Sequence, residues 1–115
     1  MSNLADFLIK EFTEESSKKS IKFFRSHGAH GYVIWLNIIS KHINNQNLFI
    51  EDLIDLSLKF ASRRTIIDFI NKGIAEGYLT KSNSNDDKRK VMVKPTKITL
   101  EEYKEWGKYF IANLK

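Results

Sequence analysis

Residues 62–79 read SRRTIIDFINKGIAEGYL, and this stretch decides the fold. Ile66, Phe69, Ile70 and Ile74 recur at spacings of three and four, which draws one apolar stripe along a helix. Ser62 suits the N-cap, because its hydroxyl accepts from the free amides of the first turn. Gly77 suits the stop, since glycine favours the left-handed turn after a helix. The spacing therefore predicts a helix over 62–76. Arg63, Arg64, Thr65 and Asp68 fall near its N-terminal end, opposite the stripe.

Downstream, Tyr78-Leu79 begins a strand and Ser82 to Asp87 is a polar turn. Lys88 to Val93 then alternates, with Val91 and Val93 on one face and Lys88, Lys90 and Met92 on the other. Two short strands make a β-ribbon, which Pro95 ends. Thr99 and Glu102 have the spacing of a capping box for a last helix, along which Leu100, Tyr103, Gly107, Phe110 and Leu114 recur beside Trp106.

Upstream, Ile50 to Leu58 reads as a short helix, with Ile50, Leu53, Ile54 and Leu56 inward and Glu51 and Asp52 near its positive end. Tyr32 to Ile43 is another helix, with Trp35, Ile38, Ile39, His42 and Ile43 along one side. Ser26 to Gly31 is a connector with two glycines. Residues 4–24 carry a helical pattern that Ser16-Ser17 divides.

The chain has 115 residues and a net charge of +5, so one domain is expected. No cysteine is present, which excludes disulfides, thiolate–metal sites and thiol chemistry. No long apolar run and no signal-peptide pattern occurs, so a soluble cytoplasmic protein is expected. His27 and His30 form a His-x-x-His spacing. The flanking glycines place it in a loop and no acidic or thiol ligand lies within five residues, so no metal and no cofactor are expected. No phosphate loop, nucleophile motif or apolar carboxylate pair is found, so no enzyme is expected.

The charge is not evenly spread. Residues 1–56 carry six Lys and Arg against seven Asp and Glu, and residues 98–115 carry three against three. Residues 57–97 carry ten against four, so the whole excess lies in the capped helix and the ribbon. A localised basic surface suits a polyanion, because each neutralised phosphate releases condensed counterions.

A short helix turned into a capped helix with a basic first turn is a helix-turn-helix, and a ribbon after it is a wing. The expected fold is mainly α with a small β-ribbon: a winged helix-turn-helix over 32–97, flanked by a terminal segment 1–25 and a helix 99–115. The wing spans 80–93. N-terminal residues of such a recognition helix reach base edges in the major groove, where arginine grips guanine with two hydrogen bonds.

Three stretches carry a more specific resemblance: Ser62-Arg63-Arg64-Thr65-Ile66, Gly77-Tyr78-Leu79, and Asp87-Lys88-Arg89-Lys90-Val91-Met92-Val93 with Thr96. Together they resemble the MarR-type winged-helix regulators. The resemblance implies that Asp87 fixes the wing while Arg89 enters the minor groove. It implies that Ser62, Arg63, Arg64, Thr65 and Asp68, with Lys88 and Lys90, form the DNA-binding surface. It also implies a dimeric transcriptional regulator of double-stranded DNA, joined through its terminal helices, with an effector left unspecified. Asp68 and Gly73 depart from the family pattern, and glycine inside a helix costs about 1 kcal/mol relative to alanine. A second reading keeps the winged helix as a protein-interaction module without DNA binding.

Overall fold

A computed structural model describes residues 4–13, 18–83 and 90–112 of the chain. The order is α1 (Leu4–Thr13), α2 (Lys19–Arg25), α3 (Ala29–Ile43), α4 (Ile50–Ser57), α5 (Arg63–Ala75), β1 (Leu79–Asn83), β2 (Val91–Pro95) and α6 (Lys97–Ala112). The helical pattern at 4–24 is thus two helices.

The expected capped helix is α5. Ser62 Oγ accepts from the Thr65 amide at 3.2 Å, and Gly77 follows the helix at φ +87°. Ile66, Phe69 and Ile70 are buried, and Ile74 packs against the same core. Each such side chain contributes at most about 1.5–3 kcal/mol by leaving water. Phe69 stacks flat on Phe23 of α2, with ring centroids 4.8 Å apart.

Gly73, the family departure, has a packing reason. A Cβ there would lie 2.9 Å from Leu79 Cδ1 and 3.3 Å from Phe23 Cε2. The glycine lets β1 and α2 close onto α5, which offsets its weak helix propensity.

The ribbon is antiparallel, with Leu79 opposite Pro95 and Asn83 opposite Val91. The segment before α4 joins its far edge: Phe49 bridges Met92, and the Val93 amide donates to Leu48 O at 2.9 Å. This ties the base of the wing to the start of α4.

Several local expectations differ from the structure. Leu56 is 47% exposed, and Ser57 is buried in its place. The inward face of α4 runs 50, 53, 54, 57, so residue 56 falls off the helical repeat. The connector is shorter than expected, because α3 starts at Ala29 and takes in His30 and Gly31. Thr99 is not the cap of α6. That helix begins two residues earlier, and Thr99 is buried, donating to Tyr78 O at 2.8 Å. Thr96, just before the helix, donates to Gly77 O at 2.8 Å. Glu102 does not close a capping box. It accepts from the Ser20 amide at 2.8 Å and from the Ser20 hydroxyl, so it caps α2 from another helix.

Aromatic rings hold α6 in place. Trp35, 1% exposed, meets Trp106 and Tyr103 edge-on at 5.3 and 5.7 Å. Phe7 of α1 packs edge-on against Phe110 at 5.7 Å. These rings fill space between helices. No helix among the described residues is long and apolar enough to cross a membrane.

Candidate nucleic-acid interface

The first turn of α5 carries Arg63, Arg64 and Thr65, all exposed, and the helix N-terminus adds free amides. Thr65 has its hydroxyl against Ser62 Oγ at 3.0 Å, so the capping pair also shapes the surface. Asp68 follows one turn later, with its Oδ2 3.9 Å from Arg64 Nε. The Arg64 side chain is 92% exposed.

Arg63 is held differently. Its Nη1 and Nη2 donate to the two carboxylate oxygens of Glu51 at 2.9 and 2.6 Å. The hydrogen bond from Arg63, helped by its charge, holds Glu51 below the usual carboxylate range. The same bond, with the Glu51 charge, raises the Arg63 guanidinium. The pair stays in solvent, so its protonation shifts report position rather than stability.

Lys90 closes the other side. Its ammonium lies 5.4 Å from the Phe49 ring centroid. Phe49, Ile50, Glu51, Asp52, Lys90 and Val91 line a groove of 430 Å³ along the first turn of α4. Lys90, just before β2, and the first turn of α5 therefore flank the same helix end, with Glu51 common to both. Among the expected contact residues, Ser62, Arg63, Arg64, Thr65 and Asp68 share the first two turns of α5, and Lys90 reaches them only through the groove that Glu51 lines. Asp87, Lys88 and Arg89 lie outside the described residues.

Glu51 is the residue that sequence reasoning missed. It reads as an ordinary acidic group at a helix start. The available signal is that Glu51 and Arg63 occupy the first turns of the two consecutive helices of a helix-turn-helix.

His27 and His30 belong to no group of three or more candidate metal ligands among the described residues. Their rings pack on Phe69, with centroids at 5.1 and 5.5 Å. His27 Nδ1 lies 2.7 Å from Phe23 O. Burial, and then the charge of His27, push His30 below the usual imidazole value. The sign follows from linkage. Stability linked to neutral His30 is fully present above about pH 6.5 and is lost as pH falls through the lowered folded value. The melting temperature of the chain should thus drop on acidification through that window, and His30→Gln should flatten the drop. An equal slope in the variant would remove His30 as its source.

No protein-family model matches the chain, and no curated protein matches it. Solved structures do. NadR in complex with 4-hydroxyphenylacetate superposes with a TM-score of 0.60 at 16% identity, over 96% of this chain and 74% of that one. The transcriptional regulator PA4135 gives 0.55 at 13% identity, over 98% and 79%. BpsR of Bordetella bronchiseptica, whose DNA binding is regulated by 6-hydroxynicotinic acid, gives 0.54 at 15%, over 96% and 77%.

The chain has the MarR-type winged-helix fold.

In that MarR-type fold, α4 and α5 are the helix-turn-helix and β1–β2 the wing. The helix expected over 62–76 is α5, with Ser62 and Glu76 as its two caps.

Proposed function

We propose that the chain is a dimeric transcriptional regulator that binds double-stranded DNA, with α5 in the major groove and the wing at the minor groove. One observation carries the reading: Arg63, in the exposed first turn of α5 beside Arg64, and Lys90, just before β2, both border the Glu51 end of α4. Cations on both sides of one exposed helix end suit contact with phosphate, which positions a duplex for base contact. The positive excess of residues 57–97 supports the same surface. Arg63, Arg64 and Thr65 serve base and phosphate contact. Asp87 braces the wing, and Lys88, Arg89 and Lys90 neutralise phosphate, with Arg89 reaching the minor groove.

Dimerisation through the terminal helices completes the proposal. Ile98 and Ile111 of α6 are 45% and 62% exposed, and burial of such side chains drives association. A two-fold dimer sets two recognition helices about one helical turn of DNA apart.

The test is selection of bound fragments from a random duplex pool. The expected result is a near-palindrome with half-sites about 10 base pairs apart. Recovery of no enriched sequence, or of single half-sites only, would count against it. With the recovered duplex in hand, Arg89→Ala should weaken binding and lower the salt slope by about 0.9, one phosphate contact, while melting is unchanged. An unchanged slope would remove Arg89 from the interface.

A further inference from the structure

The grip of Glu51 on Arg63 needs an explanation that stability does not supply. The two side chains are 67% and 55% exposed, and a solvent-exposed ion pair contributes little to folding. The pair lies instead where the proposed duplex would lie, between the first turns of α4 and α5. Glu51 occupies both terminal nitrogens of the guanidinium. That edge is one with which arginine takes a guanine or a phosphate in two parallel bonds. Arg63 is therefore engaged on that edge, whereas Arg64 projects into solvent, with its Nε 3.9 Å from Asp68 Oδ2.

Two outcomes follow when a duplex arrives. On an arbitrary sequence, moving Arg63 to a phosphate gives up two hydrogen bonds for a similar contact and leaves the Glu51 carboxylate bare beside other phosphates. On a matching sequence, a guanine edge replaces both bonds and, being uncharged, brings no second anion against the Glu51 carboxylate. The exchange is unfavourable in the first case and near balanced in the second. Discrimination arises from such a repulsive element as much as from the attractive contact.

We propose that Glu51 is a specificity-determining residue, which withholds Arg63 from arbitrary duplex and releases it to a matching base. The inference rests on the DNA-binding reading above. It assigns the first helix of the helix-turn-helix a part in sequence choice, although Glu51, as an acid, gains nothing from phosphate.

The experiment uses the full chain as wild type, Glu51→Gln, Arg63→Ala and the double variant. Each is titrated with a duplex recovered from the random pool and with a scrambled duplex of equal length, over a salt series. For Glu51→Gln, the expected result is roughly tenfold tighter binding of the scrambled duplex, with a salt slope steeper by about one ion. The recovered duplex should change by less than about threefold, within what a lost surface pair explains, so the discrimination ratio falls. In the Arg63→Ala background, Glu51→Gln should leave that ratio unchanged.

Equal tightening on both duplexes would overturn the proposal, because Glu51 would then be only a nearby negative charge. Weaker binding of the recovered duplex, matching Arg63→Ala, would also overturn it, because Glu51 would then be a brace. If the wild type binds no duplex at low salt, the DNA-binding reading itself fails, and that is seen before any substitution. Both side chains are exposed, so unchanged melting is expected, and Glu51→Ala serves as the second variant if Gln retains one bond.

Discussion

Replacing Gly31 with alanine should lower the melting temperature of the chain by roughly 10 °C or more. Gly31 stands in the first turn of α3, where the backbone of α2 crosses it. A Cβ there would lie 2.3 Å from Phe24 O, 3.3 Å from Phe24 C and 3.3 Å from Phe69 Cζ. The nearest atom is a backbone carbonyl inside a helix, so it cannot turn away as a flexible side chain does. Relief requires α2 to lift from α3, and α2 carries Phe23 and Phe24, which touch Phe69 and Trp35. Overpacking of a tight core costs about 1–3 kcal/mol when neighbours can adjust, and more when they cannot. A loss of about 3 kcal/mol or more is a large part of the 5–15 kcal/mol typical of a domain. It corresponds to a fall in Tm of roughly 10 °C or more for a chain of this size. Gly107→Ala is the control. A Cβ there would meet nothing within 4 Å and the residue sits inside α6, so alanine there should be neutral or stabilising by up to about 1 kcal/mol. Thermal melts of the two variants decide the matter; a Gly31→Ala chain melting with the wild type would show that α2 and α3 are not in tight contact.

That crossing also marks the limit of what the sequence discloses. A glycine directly after His30 and three residues after another glycine reads as loop, and Gly28, at φ +82°, does end the turn. Gly31 instead serves a contact with a helix seven residues away, and close approach leaves no local pattern. The same is true of Gly73, whose reason is Leu79 and Phe23. Glu102 shows it for polar groups. Its spacing from Thr99 matches a capping box, yet the carboxylate meets the amide of Ser20, 82 residues earlier. Periodicity, by contrast, reported the buried face of α5, although it placed Leu56 of α4 and Ile43 of α3 on stripes from which both side chains turn out to solvent. The stripe of α5, its Ser62 cap and the alternation of β2 rest on neighbours within one or two turns. The candidate interface was legible for a related reason. Exposed residues cluster at the start of one capped helix, and the charge excess needs no fold to be counted. What the sequence conceals is how the charges pair. Arg63 and Arg64 are adjacent in the chain and equivalent in composition, but a side chain from α4 distinguishes them.

Arg64 is therefore the residue whose loss should weaken DNA binding most. Its side chain is 92% exposed and its Nε lies 3.9 Å from Asp68 Oδ2, beyond hydrogen-bonding distance. A surface pair at such a separation contributes about 0–1 kcal/mol at most, so little opposes transfer of Arg64 to a duplex. Arg63, in contrast, must first leave two short bonds to Glu51. Arg64→Ala should weaken the recovered duplex by about 1–3 kcal/mol, or about 5- to 150-fold. Melting should be unchanged, because the side chain packs against nothing buried. Arg64→Lys separates base from phosphate contact. Lysine keeps the charge but lacks the two-pronged fork, so a phosphate contact is largely restored while a guanine contact is not. If the lysine variant tracks alanine on the recovered duplex yet matches wild type on a scrambled one, Arg64 reads a base. If it restores both, Arg64 holds phosphate and sequence choice falls to Arg63 and its Glu51 partner. An alanine variant that binds both duplexes as the wild type does would remove the first turn of α5 from the interface altogether.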